Sequence, residues 1–511
     1  MKRNNNKMRC EKIIEKIKKN IDFKSLAFFL IVVLIFFGIL VNIEYATDTY
    51  SVFTAGAKED IIHFLGSGRF VTAFVTAIAR VLLLSEGQVY IVSYIIAILC
   101  LVISLYEMNK MIQEDIKSGT ISRIISLLII LNVFVIELFL FIEKGILIFS
   151  ILMNVYAIKY LRSFLREKNK KDILKVLIFM FLANGSYQGT VGLFIAVSLV
   201  YIIKYSKKTK EFITNNVITA VCYAIPAILD LIIAKVFAGD RVSGKVILTE
   251  SLAKVFSGTK NMIATYNIIP KYIFPIFVTL IIIAILYKVI TSKQETKSKV
   301  LQLLAVCYII VGTLVAALAP QLLQNTASIW MVPRSTYAFA SLIGILMLYL
   351  FGTFKDIDVT EKTGSHSVLN LKNATITLSI IFIAIQYYNF TKIEISRYKL
   401  NEADKQVTMQ IIDSINKYET ETGKTITNIA IYQDKNISYT YKDIFITGDM
   451  NVKAYFPDWA TKSIIKYYSQ REVNFIDGNE DIATKFKEND WNTFDKEQLI
   501  FDNDTLHLCF Y

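Results

Sequence analysis

The sequence predicts an α-helical polytopic membrane protein of about eleven transmembrane helices that ends in a small extracytoplasmic α/β domain. Three observations carry this reading. Of 511 residues, 54% are hydrophobic and 19% charged, and the apolar residues come in blocks of about 16 to 22 rather than at amphipathic spacing. Backbone amides in lipid must find partners within their own segment, and the blocks lack the alternation of barrel strands, so they are helices. Lysines and arginines bunch in short runs between the blocks, the mark of cytoplasmic loops, which accounts for the formal charge of +13 without nucleic acid. From residue 391 onward the composition becomes that of a soluble domain of about 120 residues.

Residues 1–24 are rich in lysine and arginine, with Ile13, Ile14, Ile17 and Ile21 at helical spacing. They read as a basic amphipathic segment on the cytoplasmic membrane face, followed by an uncleaved anchor over 26–41. The chain then emerges outside, and residues 42–88 form an outer loop with interfacial helices. Residues 70–84 are apolar but short and contain Arg80. If they crossed, the most basic linker, with Arg162, Arg166, Lys168, Lys170, Lys171 and Lys175, would face outward, so they are placed on the outer surface. Spans are expected at 89–106, 121–141, 145–161, 172–184, 187–203, 212–234, 271–290, 300–319, 335–354 and 374–389. These, with the anchor and interfacial helices, make residues 25–390 one transmembrane domain. The outward loop 235–270 carries Arg241, Lys245, Lys254 and Lys260, a set suited to an anionic ligand. In the tail, helices are expected over 396–421 and 459–468 and strands over 426–432, 444–446 and 499–501.

The five cysteines have no metal-ligand spacing and there are only three histidines, so a zinc or haem site built from histidine is excluded and any metal would need carboxylates. No phosphate-cradling glycine loop supports a nucleotide-driven mechanism. The chemistry gathers at the outer face instead. Asp48 and Arg69 follow the first span, Glu143 and Lys144 sit in a tight outward turn, Tyr187 and Gln188 follow another, and Arg334 comes after Trp330-Met331-Val332-Pro333. Four outward connections thus supply polar groups at one membrane depth. A carboxylate beside arginines there can accept a proton from an attacking hydroxyl while guanidinium groups stabilise a leaving phosphate. Glu44, Asp60 and His63 lie in the same loop without an assigned part.

The stretches Thr47-Asp48-Thr49-Tyr50, Gly68-Arg69-Phe70, Phe141-Ile142-Glu143-Lys144-Gly145 and Ser186-Tyr187-Gln188-Gly189 resemble, in order and spacing, successive motifs of the GtrII-type bacterial membrane glucosyltransferases. The resemblance implies a GT-C-like architecture in a bacterial cell membrane, and transfer of glucose or another hexose from an undecaprenyl-phosphate-linked donor to a cell-surface glycan such as O-antigen, teichoic acid or capsule. It implies an essential acid at the position of Asp48. With the outward constellation, the expectation is Asp48 as the catalytic base, Arg69 and Arg334 on the donor phosphate, Glu143 and Lys144 positioning sugar or phosphate, and Tyr187 and Gln188 lining the sugar pocket. A polyprenyl-phosphate glucosyl synthase and a flippase are the implied companions. No cofactor is implied. Relatives in the wider superfamily carry adjacent acids at the first motif, whereas Thr47 precedes Asp48 here, which argues against a metal held by such a pair. The rival readings are a polysaccharide polymerase, which concentrates arginines in large outer loops, and a lipid-linked glycan flippase or transporter, for which Pro226 and Asp230 are the mid-membrane candidates.

Overall fold

The computed structural model describes residues 22–237, 245–265, 272–322, 324–354, 371–445, 447–448 and 450–511. The amphipathic N-terminal isoleucines, Arg241 and most of the basic linker 355–372 lie outside the described residues. The chain is a helical membrane protein with a small C-terminal sheet. Among the described residues, eight helices are long and apolar enough to cross a membrane.

In chain order the first helices are α1 (Phe23–Phe37), α2 (Thr47–Thr54), α3 (Ala57–Gly66), α4 (Phe70–Val81), α5 (Glu86–Asp115), α6 (Gly119–Ile130), α7 (Val135–Phe139) and α8 (Lys144–Glu167). They continue as α9 (Lys170–Ser186), α10 (Gly192–Tyr205), α11 (Thr209–Val236), α12 (Leu248–Thr265), α13 (Ile273–Thr291), α14 (Thr296–Leu322), α15 (Tyr337–Ala340) and α16 (Leu342–Thr353). One buried core joins α1, α5 to α10 and α13 to α16. Helices α6, α8, α10 and α16 form its centre, while α11, α13 and α14 keep apolar side chains such as Val217, Ile283 and Val311 exposed, as helices against lipid do.

Two departures from the expected elements matter for the site. The span expected over 121–141 is broken after Ile130. Asn132 turns its amide to Ser341 Oγ (3.0 Å) and to the carbonyl of Ile129, and its side-chain oxygen accepts from the backbone of Phe134. A side chain that bonds its own backbone competes with the helix ladder, and the break is followed by the short α7, which carries Glu137. The second departure is α17 (Leu371–Thr422), which runs unbroken for 52 residues from the last apolar segment into the soluble domain. The two separate helices expected there are one, because residues 390–395 hold neither glycine nor proline to stop it.

The C-terminal domain packs α18 (Asp458–Ser469) and α19 (Glu480–Lys487) on a four-stranded sheet of order β2-β1-β4-β3, with β1 (Asn428–Gln433), β2 (Asn474–Ile476), β3 (Leu499–Asp502) and β4 (Thr505–Phe510). Strand β1 pairs in parallel with β2 and β4, and β3 with β4 antiparallel. No strand forms at Ile444 and Phe445, where the chain is irregular, and Ile446 lies outside the described residues.

This domain docks on the segment between α1 and α5. Tyr45, Tyr50, Tyr467 and Tyr468 form an aromatic cluster, and the Tyr467 hydroxyl donates to Glu86 at 2.6 Å. Arg397, 3% exposed, donates to the carbonyls of Tyr45 and Met450, and Asn401 bonds both the N–H and the carbonyl of Tyr45. The loop that leads to Asp48 is therefore held by α17.

Candidate functional site

The site begins with a helix terminus. Helix α3 ends in a Schellman turn, in which Gly68 N–H donates to the carbonyl of Leu65 and Arg69 N–H to that of Phe64. The turn requires φ of +74° at position 68, a glycine conformation. The turn also fits tightly against its neighbours, since a Cβ at 68 would stand 2.7 Å from both Asp230 Oδ2 and Gln188 Nε2. Gln188 Nε2 bonds the carbonyl of Ser67 (3.0 Å) and Asp230 (2.8 Å), so the end of α3 is locked to α11. The neighbouring residues interlock as well. Phe70 occupies the space a Cβ on Gly185 would take, and Thr72 Oγ1 donates to the carbonyl of Ser186. The second and fourth sequence stretches are thereby one structural unit, and its purpose is to aim Arg69.

Arg69 points into a cavity of about 490 Å³ lined by Asp48, Ser51, Asp60, His63, Arg69, Phe141, Glu143, Tyr187, Arg334 and Trp459, among others. Five of the seven residues singled out in the sequence, Asp48, Arg69, Glu143, Tyr187 and Arg334, line this one space. Arg69 sits 3.8 Å from Glu143 and 5.0 Å above the Tyr187 ring, and its buried Nε has no hydrogen-bond partner. A buried guanidinium donor left unsatisfied is a place for an anion. Arg334 lies 4.6 Å over the Phe141 ring and is ion-paired with Glu137, which is 1% exposed and also accepts from the Arg334 backbone. Gly189 lets this segment close in, for a Cβ there would stand 2.6 Å from the Arg334 carbonyl. Asp48, in the first turn of α2, is exposed to the cavity. Burial pushes the Glu143 carboxyl above its ordinary value, against the pull of Arg69. Burial likewise raises Asp60, although Arg80 holds it by an ion pair of 2.6 Å.

Lys144 and Gln188 do not line this cavity. The helix start at Lys144 turns consecutive side chains to different sides, so Glu143 faces the cavity while Lys144 is fully buried, its Nζ 3.5 Å over the Tyr90 ring and without a hydrogen-bond partner. Glu44, Glu143 and Arg397 are its charged neighbours. Glu44 is buried in the same place, and burial raises its carboxyl to about 7 despite Arg397 and Lys144. Gly145 permits the arrangement, since a Cβ would meet the Ser93 carbonyl at 2.8 Å. Gln188 instead serves the Gly68 turn. Of the outward loop, Lys254 is turned to the carbonyl of Thr326 (3.0 Å).

Below the polar cavity lies an apolar groove of about 310 Å³ between α4 and α5, lined by Val75, Ile78, Ala79, Leu82, Val89, Val92 and Ile96. Val52, Phe64 and Glu143 line both spaces, so the two adjoin. Phe74, Ile78 and Val81 on α4, and Leu83 in the turn after it, are exposed, an apolar face that needs lipid or a partner to cover it. Sequence reasoning missed Glu137, Arg397 and Trp459, and gave Phe141 no part although it opens the third quoted stretch. No local pattern marks Glu137 or Arg397, but Trp459 carried a signal, being one of three tryptophans and set in a polar segment.

Fold and site together define a helical membrane protein with a charged cavity that adjoins an apolar groove. No family model matches the sequence, and no curated protein matches it.

Proposed function

We propose that this protein is an integral membrane hexosyltransferase of GT-C-like architecture, related to the GtrII-type enzymes, that moves glucose or another hexose from undecaprenyl phosphate to a cell-surface glycan. The observation that carries the reading is the pairing of Arg69, with its unsatisfied buried Nε, and Arg334 beside Asp48 in a cavity that adjoins an apolar groove. A lipid-linked sugar phosphate has the matching parts: a polar head, an anionic phosphate and an isoprenoid tail.

In the reaction, the acceptor hydroxyl attacks the anomeric carbon and its proton passes to the Asp48 carboxylate. The bond from the anomeric carbon to the phosphate oxygen breaks, and polyprenyl phosphate leaves with the electron pair. Arg69 and Arg334 meet the charge that grows on that oxygen. Glu143 holds Arg69 in place by its ion pair. The groove between α4 and α5 takes the first isoprene units. In this reading the chain crosses a bacterial cell membrane about eleven times, with the N-terminus cytoplasmic and the cavity and C-terminal domain outside.

The test is to incubate membranes containing the protein with labelled polyprenyl-phosphate glucose and purified wall glycan. Label moving into polymer, and ceasing with Asp48→Asn, is the expected result. Label that stays on the lipid with every hexose and glycan offered overturns the reading.

A further inference from the structure

The C-terminal domain contributes one side chain to the cavity, Trp459. It stands in the first turn of α18, the helix that packs beside α2 and so beside Asp48. Its indole is 47% exposed. Poor packing of the helix does not explain this, because Ala460, Thr461, Ile464 and Ile465 on the same helix are all 1% exposed or less. A large ring left open to a polar cavity forgoes the burial that a tryptophan ordinarily gains. Nor is its position loose. Tyr467 and Tyr468 of the same helix are fixed to Tyr45, Tyr50 and Glu86, and Arg397 ties the domain's long helix to the loop before Asp48.

The surrounding groups define what the indole can hold. Arg69, Arg334 and Asp48 supply charge for a phosphate and a proton, whereas Trp459 adds a neutral apolar plane with a single donor at its rim. That plane matches the C–H face of a pyranose ring, and the indole N–H a ring hydroxyl. A chain of glycerol phosphates offers no such face. We infer that Trp459 is the acceptor platform of this site, that it takes a pyranose residue of the acceptor glycan, and that the C-terminal domain is the module that selects the acceptor. The inference rests on the transferase reading, and its test separates the two.

Two measurements use the full-length protein in lipid nanodiscs. In the first, Trp330→Phe and Trp491→Phe leave Trp459 as the lone indole, and its emission is followed while maltohexaose, chitohexaose or mannohexaose is added at millimolar concentration, with oligomeric glycerol phosphate as the control. A saturable change with a hexaose and none with glycerol phosphate is expected. No change with any saccharide, or quenching by brominated lipid instead, overturns the proposal and makes Trp459 a membrane anchor. The second measures transfer in single variants: Trp459→Ala raises the acceptor KM about 10-fold or more with the donor KM unchanged, and Trp459→Phe recovers most of the loss. An equal change in both constants, or none, counts against the platform. If the wild type moves no sugar from polyprenyl phosphate, the transferase reading fails by itself, and the emission titration still decides whether Trp459 binds a ring sugar.

Discussion

Gln188 donates to Asp230 at 2.8 Å in the space directly behind Gly68, so that the glycine of the turn after α3 is backed by an amide from the connection between α9 and α10 and by a carboxylate on α11. Replacing Gly68 by alanine forces an L residue to φ +74° and sets its Cβ 2.7 Å from both groups. The left-handed backbone alone costs about 1–2 kcal/mol. The expected outcome is a protein that still inserts in the membrane but unfolds at lower temperature and transfers about 10-fold less sugar, because Arg69 is the next residue. Thermal unfolding in detergent and the transfer assay, run together, check this.

Asp48 is exposed and accepts no side-chain hydrogen bond among the described residues, so its loss removes chemistry and leaves packing alone. Asp48→Asn is expected to lower transfer by about 100-fold or more with an unchanged unfolding temperature. A variant that keeps its rate assigns the base elsewhere.

The two arginines differ in what they hold up. Arg69→Lys keeps the charge but loses the fork, and is expected to raise the donor KM by about 10-fold at little cost in stability. Arg334→Ala leaves Glu137, 1% exposed, without its guanidinium, and is expected to cost about 3 kcal/mol. Adding Glu137→Gln to Arg334→Ala then restores much of the stability and none of the activity. Unfolding midpoints of the single and double variants measure the difference.

Glu44 gives the fold a pH dependence of known sign. Burial raises its carboxyl from 4.5 to about 7 in the folded protein. The folded state thus binds the proton more tightly than the unfolded chain, and the stability this contributes is complete below the ordinary value and is lost as the pH rises to about 7. Glu44 is expected to contribute a fall in the unfolding temperature across that window. Glu44→Gln flattens that part of the profile, and melting curves at half-unit pH steps show it.

The membrane helices and the gathering of Asp48, Arg69, Glu143, Tyr187 and Arg334 were legible in the sequence, because hydrophobic blocks and the charges between them are local signals. What escaped depends on tertiary partners. Glu143 and Lys144 are neighbours of like polarity in the sequence, and only the direction of α8 sends one into the cavity and the other under Tyr90. Glu137 reads as the middle of a span until Asn132 breaks the helix before it. Strand β4 has five successive buried residues and no alternation, so its pattern is silent, although Asn503 at φ +54° between β3 and β4 is a hairpin turn residue that could have disclosed it. Strand β2 is three residues long, too short for any period.

Helix α17 extends about 78 Å at 1.5 Å per residue, and Arg397 and Asn401 pin it near its middle to Tyr45. The strut therefore reaches from the last apolar segment to the sheet domain while its pin holds the loop that leads to Asp48. Helix α18, which carries Trp459, packs on both α17 and α2, so the two walls of the cavity are hung from one helix and its pin, and the distance between them is kept by the protein's own framework.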